Sequence, residues 1–172
     1  MVPAWELRAG LEVGSLGFYR GALRQAVLRI KERNDLALLG VLAGRLAALL
    51  QQHCPGPVQV VGVPTSARRQ RWRGYCAPGR LAARLGAPLL ADFHCLGDPA
   101  PRKALRGFQA RRAHKSSFVY RGRLQGTVVL LDDVITSGQT LRQARQALLA
   151  AGAERVVCLC VARAARAARA GS

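Results

Sequence analysis

The stretch VVLLDDVITSGQT, Val128 to Thr140, runs from grease to acid to hydroxyl within thirteen residues. Val128 to Leu131 are continuously apolar, as in a parallel strand covered on both faces. Asp132 and Asp133 follow, where that strand should leave the sheet. In open α/β sheets this carboxyl end is where ligands bind. Thr136, Ser137, Gly138, Gln139 and Thr140 then lead into a helical pattern from about Thr140 to Ala150, closed by Gly152. A helix N-terminus offers unsatisfied N–H donors and partial positive charge, which favour a phosphate. Thr and Ser add hydroxyl donors, and Gly138 allows close backbone approach. The two carboxylates would repel that phosphate, but they can accept hydrogen bonds from a diol. A diol beside a phosphate is a ribose 5-phosphate unit. The plain alternative is a strand end with Asp caps and an N-cap rich in Ser and Thr. It suits an isolated TSGQT better than one preceded by an apolar strand and two acids. No Gly-Lys-Ser/Thr follows, so this is not a Walker loop.

Outward from this stretch, ERVVCLCVA (154–162) reads as the next strand. Strand–helix–strand alternation implies right-handed βαβ units and a parallel sheet flanked by helices. Upstream, VQVVGVP (58–64) is a short β-branched strand ending in Pro64, and a helix is expected from about Pro78 to Leu85, closed by Gly86. Residues 87–127 are the least regular part. In 19–51, Leu23, Val27 and Ile30 form one helical stripe; Leu38, Leu39, Leu42, Leu46 and Leu49 form a second, with a break at Asn34 and Asp35. The expected organisation is an N-terminal helical segment (1–54), an α/β core (55–162) and a basic tail (163–172).

The chain has 172 residues, a net charge of +18 at pH 7 and a pI near 11.5, and all but three of its basic residues are arginine. Such a balance suits polyanions, because Arg forks onto phosphate with two bonds. The competing reading is arginine written wherever a solvated face tolerates it. Five cysteines without a CxxC pair argue against a zinc site and for reduced thiols in the cytoplasm. The N-terminus does not read as a secretory signal, and no membrane span is expected, because no apolar run approaches about 18 residues.

Val128 to Thr140 resembles the phosphoribosyl pyrophosphate (PRPP) motif of type I phosphoribosyltransferases. The resemblance implies that Asp132 and Asp133 hold the ribose 2′ and 3′ hydroxyls, while Val134 and residues Thr136, Ser137, Gly138, Gln139 and Thr140 complete the cradle around the 5-phosphate. YRGALRQAVLRIK (19–31), VVGVPTS (60–66) and RWRGY (71–75), in that order before the PRPP motif, are similar to the ComF family of competence-associated proteins. The similarity covers most of residues 19–162. It implies a type I phosphoribosyltransferase-like fold and a link to DNA uptake in natural transformation. Where longer members carry an N-terminal four-cysteine zinc module, this chain has none. Where the family reads R-G-F-N-Q-A, the chain has Arg73, Gly74, Tyr75, Cys76, Ala77 and Pro78. Pro101, Leu105 and Phe118 keep the family spacing, but Arg102 replaces the usual Gln and Ala113 the usual Asn.

By the same resemblance the loop Pro64-Thr65-Ser66 supplies backbone donors to the pyrophosphate, with Arg68 and Arg69 neutralising its charge. Mg²⁺ would be held through PRPP, keeping several waters, rather than directly by protein side chains. Arg102 and Lys103 lie where type I enzymes carry a mobile catalytic loop, so they are candidates to close over the pyrophosphate with Asp132 and Asp133 beneath. Basic residues interleaved with aromatics also suit single-stranded nucleic acid: Arg71, Trp72, Arg73 and Tyr75 in one loop, Arg106, Arg111 and Arg112 in the other. Two readings stand. The chain transfers phosphoribosyl from PRPP to an acceptor, or it binds single-stranded DNA beside the competence machinery, with the PRPP site regulatory or vestigial.

Overall fold

The computed structural model describes residues 3–65, 74–96 and 118–165. The chain opens with a hairpin, β1 (Ala4–Arg8) and β2 (Leu11–Ser15), followed by α1 (Gly21–Glu32) and α2 (Leu36–His53). Then come β3 (Val58–Gly62), α3 (Ala77–Ala82), β4 (Phe93–Cys95), β5 (Phe118–Tyr120), β6 (Thr127–Ile135), α4 (Gln139–Ala150) and β7 (Arg155–Arg163). The main sheet has the order β1-β2-β7-β6-β3; β2, β7, β6 and β3 are parallel and β1 is antiparallel at one edge. At the other edge Val60 bonds to Pro88 and Leu90, so a short stretch runs alongside β3. The small β4–β5 pair stands apart from this sheet.

Alternation along the central strands sends side chains to two cores. Val129, Leu131, Val157 and Leu159 face α1, α2 and α3; Val128, Leu130, Cys158 and Cys160 face α4. The helix break falls as expected. Asn34 adopts φ 50°, ending α1, and the Asp35 carboxylate caps α2 by accepting from the Leu38 amide at 2.9 Å. By length and composition α2 is the one described helix able to cross a membrane. It packs through Leu39, Leu42, Leu46, Leu49 and Leu50, as a core helix does.

The structure corrects the sequence reading in four places. Residues 1–54 are not simply a helical segment, since their first two elements are strands of the main sheet. Trp5 and Leu7, then Leu11 and Val13, alternate with polar or small residues around Ala9-Gly10, both with positive φ, as a two-residue hairpin turn requires. The strand carrying the acids does not end at Leu131; β6 continues through Asp132 and Asp133 to Ile135, with Ile135 in register with Arg163. Arg163 belongs to β7 and is buried, so the basic tail does not begin there. The helix expected to Leu85 stops at Ala82.

Candidate functional site

β6 keeps its partner β7 to Ile135 but loses β3 after Leu131, where the Val63 amide makes the last bond before Pro64 turns the chain away. The two acids therefore stand on a strand whose one edge has just opened. Asp132 Oδ1 accepts from the Asp133 amide at 2.8 Å. The Asp133 carboxylate, on the α1 side of the sheet, meets Lys31 Nζ at 2.8 Å. Lys31 is the last residue of the YRGALRQAVLRIK stretch, and the sequence reading assigned it no role. Its signal was legible: it lies on α1 one position after Ile30 of the buried stripe, and it is one of only three lysines.

Burial pushes the Asp132 carboxyl up to about 7; the neighbouring Asp133 charge adds to this, and the Asp133 amide and Lys31 oppose it. The ordinary value is 3.8, so between pH 4 and pH 7 the unfolded chain gives up a proton that the folded protein retains. Stability contributed by this group is thus highest in acid and falls as pH rises through that window. Asn keeps an oxygen for the Asp133 amide but cannot ionise. Asp132→Asn should leave the Tm unchanged near pH 4 and raise it by about 5 °C at pH 8. Calorimetric scans at both pH values check this, and a gain independent of pH would show that Asp132 titrates as an ordinary carboxylate.

The turn after β6 presents Thr136, Ser137 and Thr140 at the surface. Gly138 is the N-cap of α4 at φ 72°, a left-handed conformation that favours glycine. No acidic residue lies in the first turn of α4, so nothing there neutralises the partial charge of the N-terminus. Gln139 is half-buried and its amide points to Ser137 Oγ at 3.5 Å. Val134 is half-buried against the α1–α2 core, a packing position. Carboxylates and anion cradle are consecutive in space as in sequence.

Pro64 and Thr65 lie directly after β3, half-buried; Thr65 Oγ1 donates to Cys76 Sγ at 3.4 Å, and that thiol points to the Val63 carbonyl. A groove of about 500 Å³ runs beside them, with Tyr75, Gly79, Arg80 and Phe93 in its wall. Tyr75 differs from its expected part as a stacking surface for nucleic acid. Its hydroxyl donates to the Ile30 carbonyl, and Arg80 covers its ring at 5.0 Å, so it braces α1 against α3. Ser66, Arg68, Arg69, Arg71, Trp72, Arg73, Arg102, Lys103, Arg106, Arg111, Arg112 and Ala113 lie outside the described residues. Among the described residues no cluster of three or more His, Cys, Asp or Glu could hold a metal.

Residues 113–171, about a third of the chain, match the sequence model of the phosphoribosyl transferase domain. The sequence has no match among curated proteins. Among solved structures it is similar to orotate phosphoribosyltransferase from Aeropyrum pernix, at 21% identity over 76% of this chain and 62% of that one, TM-score 0.45. It is also similar to purine phosphoribosyltransferase from Pyrococcus horikoshii Ot3, at 22% identity over 73% and 72%, TM-score 0.43. Adenine phosphoribosyltransferase from Leishmania tarentolae is similar at 15% identity over 88% and 91%, TM-score 0.46. The chain spans about three fifths of the length of the first of these.

Proposed function

We propose that this chain binds PRPP with Mg²⁺ and transfers the phosphoribosyl group to an acceptor, as a ComF-type protein linked to DNA uptake. One observation carries the reading: an acid pair at an opened strand end runs straight into an exposed hydroxyl-rich turn and an unneutralised helix N-terminus. Asp132 and Asp133 would accept from the ribose hydroxyls, and the 136–140 turn would donate to the 5-phosphate. Transfer breaks the bond from C1 to the pyrophosphate oxygen, whose electron pair leaves with the anion, and the acceptor's lone pair forms the new bond at C1. Donors aimed at the departing charge, from the loop that starts at Pro64 and Thr65, would stabilise it.

Mg²⁺ would supply further charge neutralisation on the pyrophosphate. Asp132 and Asp133 are the carboxylates that would lie nearest the metal, with its other ligands drawn from PRPP and water. Titration calorimetry of PRPP with Mg²⁺ into wild type and the Asp132→Asn/Asp133→Asn variant tests the reading. Saturable binding that the variant loses supports it; no binding by wild type overturns it.

The net charge of +18 favours a second reading, a single-stranded DNA-binding protein in which the PRPP site is regulatory. DNA affinity would then fall steeply with salt and survive in the double Asn variant. A salt-insensitive affinity speaks against it.

A further inference from the structure

The hairpin β1–β2, which the sequence reading left without a role, touches the proposed phosphate turn from behind. Arg8 on β1 donates from Nη2 to the Thr136 carbonyl at 3.0 Å and from Nη1 to the Ala164 carbonyl at 2.8 Å, tying the start of the turn to the end of β7. Arg142 on α4 reaches the carbonyls of Ala9, at the hairpin tip, and of Ser137, each at 3.4 Å. A Cβ on Gly138 would stand 3.4 Å from that of Ala9, so the tip packs against the N-cap itself.

The charges in this layer are out of balance. Arg8 and Arg163 are 7% and 5% exposed, and the carboxylate beside both is that of Glu6, at 3.4 Å and 3.8 Å. Arg163 also donates to Ser15 Oγ at 2.6 Å, while its Nε is buried without a hydrogen-bond partner among the described residues. Arg163 also lies over the Phe18 ring at 4.3 Å, but one carboxylate does not neutralise two buried guanidiniums, so the layer keeps a net positive charge. An anion seated on the turn would feel that charge through protein rather than through water, where it counts for more.

We propose that Arg8, carried by the N-terminal hairpin, is a positioning residue which holds the 136–138 turn in the shape that receives a phosphate monoester. The proposal rests on the ribose 5-phosphate reading of that turn. Without Arg8 the Thr136 carbonyl loses its tether, and the turn's donors are no longer preorganised.

Titration calorimetry of ribose 5-phosphate tests this with wild type, Arg8→Met, Arg8→Lys and Trp5→Phe. Trp5→Phe loosens the same hairpin elsewhere, by removing the indole donor to the Leu49 carbonyl, without touching the turn. Arg8→Met should weaken binding at least tenfold, Arg8→Lys should recover most of it, and Trp5→Phe should lower the Tm but leave the affinity alone. Wild-type affinity in a folded Arg8→Met overturns the role of Arg8, as does an equal loss in Trp5→Phe. Should Arg8→Met not fold, Arg8→Gln decides by the same tenfold criterion. No binding by wild type overturns the site reading itself, and this proposal with it.

Discussion

Gly62→Ala should cost the protein about 3 kcal/mol or more, or prevent folding, in urea denaturation. Gly62 ends β3, immediately before the Pro64-Thr65 loop, and lies against the first turn of α3. A Cβ there would come within 2.7 Å of Gly79 Cα and closer still to the Pro78–Gly79 peptide. Those atoms are backbone, so no rotamer change relieves the clash; the strand and helix must move apart. Because β3 and α3 flank the proposed pyrophosphate loop, that movement should also disturb any ligand there. Gly79→Ala is the control. A Cβ at Gly79 meets the Cys76 side chain at 3.6 Å, ordinary contact, so that change should cost little and improve helix propensity. A Gly62→Ala stability within about 0.5 kcal/mol of wild type would show that the strand–helix contact yields freely.

Lys31→Met should destabilise the protein by about 2 kcal/mol and weaken PRPP binding, because it leaves the carboxylate of Asp133 buried without its cation. The side chains of this pair are 21% and 13% exposed, so solvent compensates only in part. Met preserves most of the apolar stem, which confines the loss to charge and hydrogen bond. Lys31 also holds down the proton affinity of Asp132, so its removal should push that group above its present value of about 7. Binding to the ribose hydroxyls favours an ionised Asp132, so the pH at which PRPP binds best should move upward. Calorimetry in buffers of different ionisation enthalpy reads this directly as proton release. An unchanged pH profile in a folded Lys31→Met would detach Lys31 from the site; a wild-type profile in Lys31→Arg would confirm that charge is what matters.

Much of the fold was legible because its signals are local. The apolar run at Val128–Leu131 and the β-branched run at Val58–Val63 are buried strands. The stripes Leu23/Val27/Ile30 and Leu39/Leu42/Leu46/Leu49 are buried helix faces, and the break at Asn34-Asp35 follows from a left-handed Asn and an Asp cap. The hairpin was legible too, in its alternation, but Ala9-Gly10 lacks the Asn-Gly or Asp-Gly signature of such turns. The strand boundary at Leu131 was misread because two carboxylates look like the end of a buried strand. Pairing with β7 carries β6 on through them, and the extent of that pairing is not written in the residues around Leu131.

The sequence by itself determined the two N-terminal helices, the strand–helix–strand run from β6 to β7, the parallel α/β class, and the acid–hydroxyl–glycine succession at 132–140, since each depends on neighbours within a few residues. Tertiary structure alone decided which distant residues serve that succession. It brings Lys31 from α1 onto Asp133, sets Arg8 from the hairpin beneath Thr136, and turns β3 away at Pro64 to open the edge of β6. Those contacts span from about 70 to more than 100 residues of chain, and what selects them is close packing of two cores around one sheet.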